Sequence, residues 1–145
     1  AIWKNNTAEI MAQPKTSQAS FDAVMEFARQ IRMVPLPVRK EKAGYLLNSM
    51  LIPMLFSAMD LYVNGVSDPE SIDKAWTLGT GAPKGPFRIL DTVGLTTADN
   101  IVRQYLKVPP FLAPYNFRGM HAMLQTYLTA GKLGMSSGEG FYKYA

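Results

Sequence analysis

The chain has 145 residues, 48% of them hydrophobic and 18% charged, enough for one domain with its own core and too few for two full ones. With no cysteine, it cannot form disulfides, carry a thiolate nucleophile or hold a cysteine-ligated zinc. The net charge of +4 favours an anionic partner at long range, but Glu41 interrupts Arg39, Lys40 and Lys42 and the other basic residues are scattered, so no stripe suits nucleic acid. The start, Ala1 to Asn6, has neither the basic nor the apolar region of a secretory signal and no initiating Met; it reads as the middle of a longer chain. Thr7 to Met11 reads as a short strand bounded by Gln13-Pro14-Lys15. Phe21, Val24, Phe27, Ala28 and Ile31 then recur at helical spacing, with Thr16 or Ser17 able to cap the first turn. Met33 to Val38 contains Pro35 and Pro37, each of which removes a donor, so this stretch is predicted as a strand at a sheet edge.

From Gly44 onward the strong signals are helical. A long helix is predicted from Tyr45 to about Asn64, apolar nearly all round and therefore central, kinked at Pro53 and ended by Gly65. Its Asn48, Ser49, Ser57 and Asp60 argue against a lipid-facing span. Ser67 to Glu70 fits a capping box with Ser67 at the cap, opening a helix with Ile72, Ala75, Trp76 and Leu78 that ends at Gly79 and Gly81. A short helix from Pro86 to Val93 stops at Gly94, and another, capped by Thr97, carries Ile101, Val102, Tyr105 and Leu106 toward Pro109. Phe117, Met120, Leu124, Tyr127 and Leu128 mark the last helix. There is no internal repeat.

Self-sufficient catalytic motifs are absent: one histidine, no HExxH, no GxSxG, no phosphate loop and no set of metal ligands. His121 lies beside an apolar stripe with no partner nameable from sequence, and reads as a helix residue with no part in catalysis. Gly131, Gly134, Gly138 and Gly140 do not follow a strand and open a helix, as a dinucleotide loop must, and read as turn residues that tuck Phe141 and Tyr142 against the bundle. By themselves, Glu9 is an alternating strand residue and Asn48 a helix polar residue.

Five landmarks in order give these residues another meaning: Thr7-Ala-Glu-Ile-Met11, Lys40-Glu-Lys-Ala-Gly-Tyr-Leu-Leu-Asn48, Asp68-Pro-Glu-Ser-Ile-Asp73, the run from Gly85-Pro-Phe to Val93-Gly-Leu95, and the glycine-rich end from Gly131 to Tyr144. Together they resemble the C-terminal part of a 3-hydroxyacyl-CoA dehydrogenase of the 3-hydroxybutyryl-CoA dehydrogenase type. The resemblance implies a mostly α fold: a helical bundle of the 6-phosphogluconate dehydrogenase C-terminal type over residues 42–145, preceded by a strand-helix-strand remnant of a Rossmann-like NAD-binding domain over residues 1–41. It implies an NAD-dependent oxidoreductase interconverting short-chain 3-hydroxyacyl-CoA and 3-ketoacyl-CoA, a homodimer through the helical domain, cytoplasmic, with no metal.

Glu9 matches the family's Glu that orients a catalytic His, and that His falls before Ala1, so the 145 residues are expected to be inactive alone. Asn48 matches the substrate-binding Asn, with Ala43 where the family usually has Pro and Ser49 where it has Arg. Ser136 stands at a cofactor-side position where the family commonly has Lys. Asp91 is expected to pin a neighbouring backbone segment. Two alternatives stay open: a non-catalytic helical dimerisation module, and a related dehydrogenase of another 3-hydroxy acid.

Overall fold

Pro35 and Pro37 decide the edge of a small sheet in the computed structural model, which describes residues 5–145; the reading of Ala1 to Lys4 lies outside the described residues. Strands β1 (Thr7–Met11) and β2 (Val34–Val38) pair in parallel, Thr7 opposite Val34 and Met11 opposite Val38. Val34 N–H donates to Asn6 O, and Ala12 N–H to Val38 O. Because backbone groups alternate sides along a strand, Pro35 and Pro37 place their ring nitrogens on the outer edge of β2, where no donor is needed. Among the described residues the outer edge of β1 is unpaired, so further strands would join there and not at β2.

Helix α1 (Gln18–Gln30) connects the two strands, capped by Ser17, whose hydroxyl accepts from Ser20 N–H. Only Phe21 and Ala28 of its expected apolar stripe are buried, and Phe27 is 58% exposed. Two strands about 4.8 Å apart are too narrow a floor for a helix about 10 Å across. Arg32, in the left-handed region at φ 62°, turns the chain out of this helix. These elements and the first residues of helix α2 (Leu47–Val63) form one unit, residues 1–52; residues 53–145 form a second.

The expected Tyr45 start of α2 is two residues early: Gly44 and Tyr45 both lie at positive φ, 85° and 54°, where a right-handed helix cannot continue. The helix runs unbroken through Pro53 and ends at Gly65, φ 72°. Its centrality is also corrected. Within the second unit Leu55, Phe56, Ala58 and Met59 are buried, whereas Leu61 is 41% exposed, because the elements of that unit cover only one side of the helix.

In the second unit α3 (Pro69–Thr80) is capped by Asp68, not Ser67. Proline is accepted at the first helical position, so Pro69 fixes the cap one residue before it, and Asp68 Oδ1 accepts from Ser71 N–H at 2.9 Å. That bond and the Ser71 hydroxyl hold the Asp68 carboxyl below its ordinary range. Helix α4 (Pro86–Val93) follows, and α5 (Leu95–Gln104) starts at Gly94 with no side-chain cap, placing Thr97 inside the first turn. Helix α6 (Phe117–Thr129) packs on α5 around fully buried Leu95, Val102, Met120 and Leu124. Among the described residues, six helices and one two-stranded sheet give the expected mostly α fold behind a strand-helix-strand segment.

The glycine-rich end is a strap. Gly134 and Gly138, at φ 114° and 80°, flank a single 3-10 turn, Met135–Ser137, and bring Phe141 edge-on to Phe87 at 4.7 Å. Buried Asp91 accepts from Phe141 N–H (2.9 Å), Tyr142 N–H (3.0 Å) and the Tyr144 hydroxyl (2.8 Å). Asp73 accepts from Phe87 N–H (2.8 Å), Arg88 N–H (3.1 Å) and the Tyr142 hydroxyl (2.9 Å), supplying α4 with the cap that Gly85 lacks.

Burial pushes the Tyr127, Tyr142 and Tyr144 phenols above their ordinary range. The neighbouring Tyr62 adds to the shift of Tyr127, and hydrogen bonds to Asp73 and Asp91 add to those of Tyr142 and Tyr144. A phenol raised on folding contributes stability that is complete below its unfolded value of about 10 and is lost as pH rises through the folded one. Alkaline titration should therefore yield the tyrosinates of these three only as the helical unit unfolds. Tyrosinate absorbance followed together with circular dichroism checks this; full ionisation of all tyrosines in an intact fold would contradict it.

Candidate functional site

Glu9 lies mid-strand in β1 and its half-buried carboxylate reaches the start of α2, where Oε1 accepts from both Leu46 N–H and Leu47 N–H at 2.9 Å. A helix start leaves four N–H groups without partners, and a carboxylate there also meets the positive end of the helix dipole. Oε2 carries no hydrogen bond among the described residues. The carboxylate opens on a cavity of about 520 Å³ lined otherwise by Thr7, Leu36, Tyr45, Leu46, Leu47 and Met50. A mostly apolar wall with one fixed polar group is the usual character of a small-molecule site.

Asn48 follows directly on Leu47 in the first turn of α2; it is exposed, and its amide has no hydrogen bond among the described residues. It does not line the cavity, but shares the helix end that Glu9 holds. Ser49 donates from its hydroxyl to Tyr45 O, closing the turn from within. Ser136 is exposed on the 3-10 turn of the second unit.

The β1–α1 connection, Ala12 to Ser17, contains no glycine, and Ser17 already occupies the helix start that a diphosphate would need. Among the described residues no group of three His, Cys, Asp or Glu side chains could hold a metal, and no helix is long and apolar enough to cross a membrane.

A second cavity, about 350 Å³ in the helical unit, has its acid engaged: Asp60 Oδ1 accepts from Asn116 N–H at 2.7 Å, and Asn64 Oδ1 from the Asn116 amide at 2.9 Å. His121, partnerless in the sequence reading, does have a partner. Its Nδ1 lies 2.6 Å from Asp99 Oδ1, and the Gln125 amide donates to Asp99 Oδ2 at 2.8 Å. Asp99 is 3% exposed, and the cluster joins α5 to α6. Removing the imidazole in His121→Ala leaves that carboxylate half satisfied and should cost about 1–3 kcal/mol in urea unfolding. An unchanged midpoint would mean that the pair contributes nothing.

The sequence pattern described as "3-hydroxyacyl-CoA dehydrogenase, C-terminal domain" matches residues 44–144. The chain belongs to this family. Human mitochondrial hydroxyacyl-coenzyme A dehydrogenase is 35% identical over 136 residues, covering 94% of this chain and 42% of that protein. A solved (S)-3-hydroxybutyryl-CoA dehydrogenase from Ralstonia eutropha is 29% identical with a TM-score of 0.76, covering 97% of this chain and 48% of that one. A solved diketoreductase, described as acting on dicarbonyl compounds, is 51% identical with a TM-score of 0.89, covering 99% of this chain and 48% of that one. The chain thus spans less than half the length of these 3-hydroxyacyl-CoA dehydrogenase relatives.

Proposed function

We propose that this chain is the C-terminal part of an NAD-dependent L-3-hydroxyacyl-CoA dehydrogenase that interconverts short-chain 3-hydroxyacyl-CoA and 3-ketoacyl-CoA. The observation that carries the reading is the Glu9 carboxylate, with one oxygen fixed on two backbone N–H groups and the other, without a hydrogen bond among the described residues, able to accept from an imidazole. In this reading Glu9 fixes the ring of a histidine supplied by the dinucleotide-binding domain and stabilises the imidazolium as that ring takes the substrate's hydroxyl proton. Asn48 donates to the reacting oxygen as hydroxyl or carbonyl. NAD is held by that other domain, with Ser136 as this chain's candidate contribution.

Residues 1–41 belong in this proposal to the dinucleotide-binding domain, and 42–145 form the helical substrate and dimerisation domain. The unpaired edge of β1 and the open stripe of α1 support the first assignment, and the family match from residue 44 supports the second. A homodimer through the helical domain is part of the reading, supported by exposed Leu61, Leu78 and Phe111. A cytoplasmic location is also part of it, and the cysteine-free composition supports it.

A second reading, an enzyme acting on a related carbonyl substrate without the CoA group, is favoured by the 51% identity to the diketoreductase. Acetoacetyl-CoA itself carries a ketone next but one to a thioester carbonyl, so the same pair of residues suits both. The test is NADH oxidation by the full-length protein with acetoacetyl-CoA and with a CoA-free dicarbonyl compound. The leading reading expects the thioester to have the higher kcat/KM by about tenfold or more. The reverse order assigns the second reading, and turnover of neither leaves a non-catalytic dimerisation module. The 145 residues alone should oxidise no NADH.

A further inference from the structure

We infer that Glu9 has a second task at the proposed site: it positions Asn48, so that the base-orienting group and the substrate-holding group are both referenced to one carboxylate. The inference rests on the reading above for the roles of the missing histidine and of Asn48, but its geometric part stands on the fold of residues 7–49.

Helix α2 opens without a cap of its own. It has no acidic residue in its first turn, and neither Tyr45 nor Leu46 can cap it as Ser, Thr, Asp or Asn would. Instead, the Leu46 and Leu47 N–H groups are taken by a carboxylate 37 and 38 residues earlier in the chain. The lead-in turn is a poor one by itself, since Tyr45 occupies the left-handed region beside Gly44. Ser49 closes that turn internally, but does not tie it to the sheet. Among the described residues, the other hydrogen bond from this lead-in to β1 runs from Lys42 N–H to Met11 Sδ at 3.2 Å, and a thioether is a weak acceptor. Asn48 has no side-chain hydrogen bond of its own among the described residues, so its place is set by the first-turn backbone, and that backbone is held on β1 by Glu9 Oε1.

Oε1 and Oε2 then serve different ends. A glutamine keeps an oxygen that can accept from both N–H groups but carries no charge to stabilise an imidazolium. An alanine keeps neither. In the full-length enzyme, Glu9→Gln should lower kcat with KM close to the parent's, whereas Glu9→Ala should lower kcat and raise KM by about tenfold. Amide hydrogen exchange at Leu46 and Leu47 should accelerate by about tenfold or more in Glu9→Ala and stay near the parent rate in Glu9→Gln.

The exchange measurement needs neither substrate nor base, which separates the two levels. Unchanged exchange at Leu46 and Leu47 in Glu9→Ala overturns the positioning role whatever the kinetics show. Accelerated exchange with an unchanged KM, together with an unchanged KM in Asn48→Ala, sustains the anchoring but overturns the assignment of Asn48 to the substrate. Should Glu9→Ala fail to fold, Glu9→Asp carries the test: it keeps the charge but is shorter by one methylene, so faster exchange and a raised KM sustain the role and parent values of both refute it.

Discussion

Replacing Asp91 by alanine should destabilise the helical unit by about 3–5 kcal/mol. Asp91 is 1% exposed and accepts three hydrogen bonds from the C-terminal strap, two of them from backbone N–H groups that have no substitute once it is gone. The strap is fitted around it so closely that a Cβ on Gly134 would stand 2.5 Å from Asp91 O. Loss of the carboxylate should free Phe141 from its contacts with Phe87 and Tyr127, at 4.7 and 4.6 Å, so the aromatic cluster loosens with it. For a unit of this size such a cost lowers Tm by about 12 °C or more. Calorimetry of Asp91→Ala beside Tyr144→Phe, which removes one bond and should cost about 1 kcal/mol, gives the comparison. Equal midpoints for the two variants would mean that the backbone contacts of Asp91 contribute little.

Under the proposed function, Glu9→Ala in the full-length protein should reduce kcat by about two powers of ten or more, the usual scale for losing a group that orients a general base. The loss is expected in kcat because an imidazolium develops only as the proton moves, so the carboxylate's charge acts mainly in the transition state. A second loss comes from the α2 start, whose two N–H groups would turn to water. Steady-state reduction of acetoacetyl-CoA by NADH measures the effect. A kcat within about twofold of the parent's would remove Glu9 from the chemistry.

Much of the fold was legible because its signals are local. Pro35 and Pro37 excluded a helix and marked an edge, and Gly65 and Gly81 ended helices where their positive φ is required. What sequence obscured were starts set by backbone or by distant residues. Gly94 begins α5 with no side chain to betray it, and α2 begins where Glu9 reaches it from another element. At the start of α3 the capping-box spacing Ser67 to Glu70 pointed to Ser67, and Pro69 was the sharper signal, for Asp68. Long-range partners were hidden for the same reason. Asp99 and His121 are 22 residues apart on different helices, and the trace that could have found them is the polar pair His121 and Gln125, one turn apart beside the apolar Met120 and Leu124. The apolar length of α2 suggested burial on all sides, but composition cannot say how much covering surface the rest of a chain provides. Glu9 and Asn48 stood out only through the family resemblance, since a strand Glu and a helix Asn have ordinary structural uses.

The most direct test is a structure of the full-length enzyme with NAD and an acyl-CoA bound. It should place Glu9 Oε2 about 2.6–3.2 Å from a histidine ring nitrogen of the dinucleotide-binding domain, with the Asn48 amide on the substrate's reacting oxygen. A Glu9 carboxylate with no histidine beside it, and a substrate oxygen remote from Asn48, would contradict the claim that this chain supplies half of the catalytic centre.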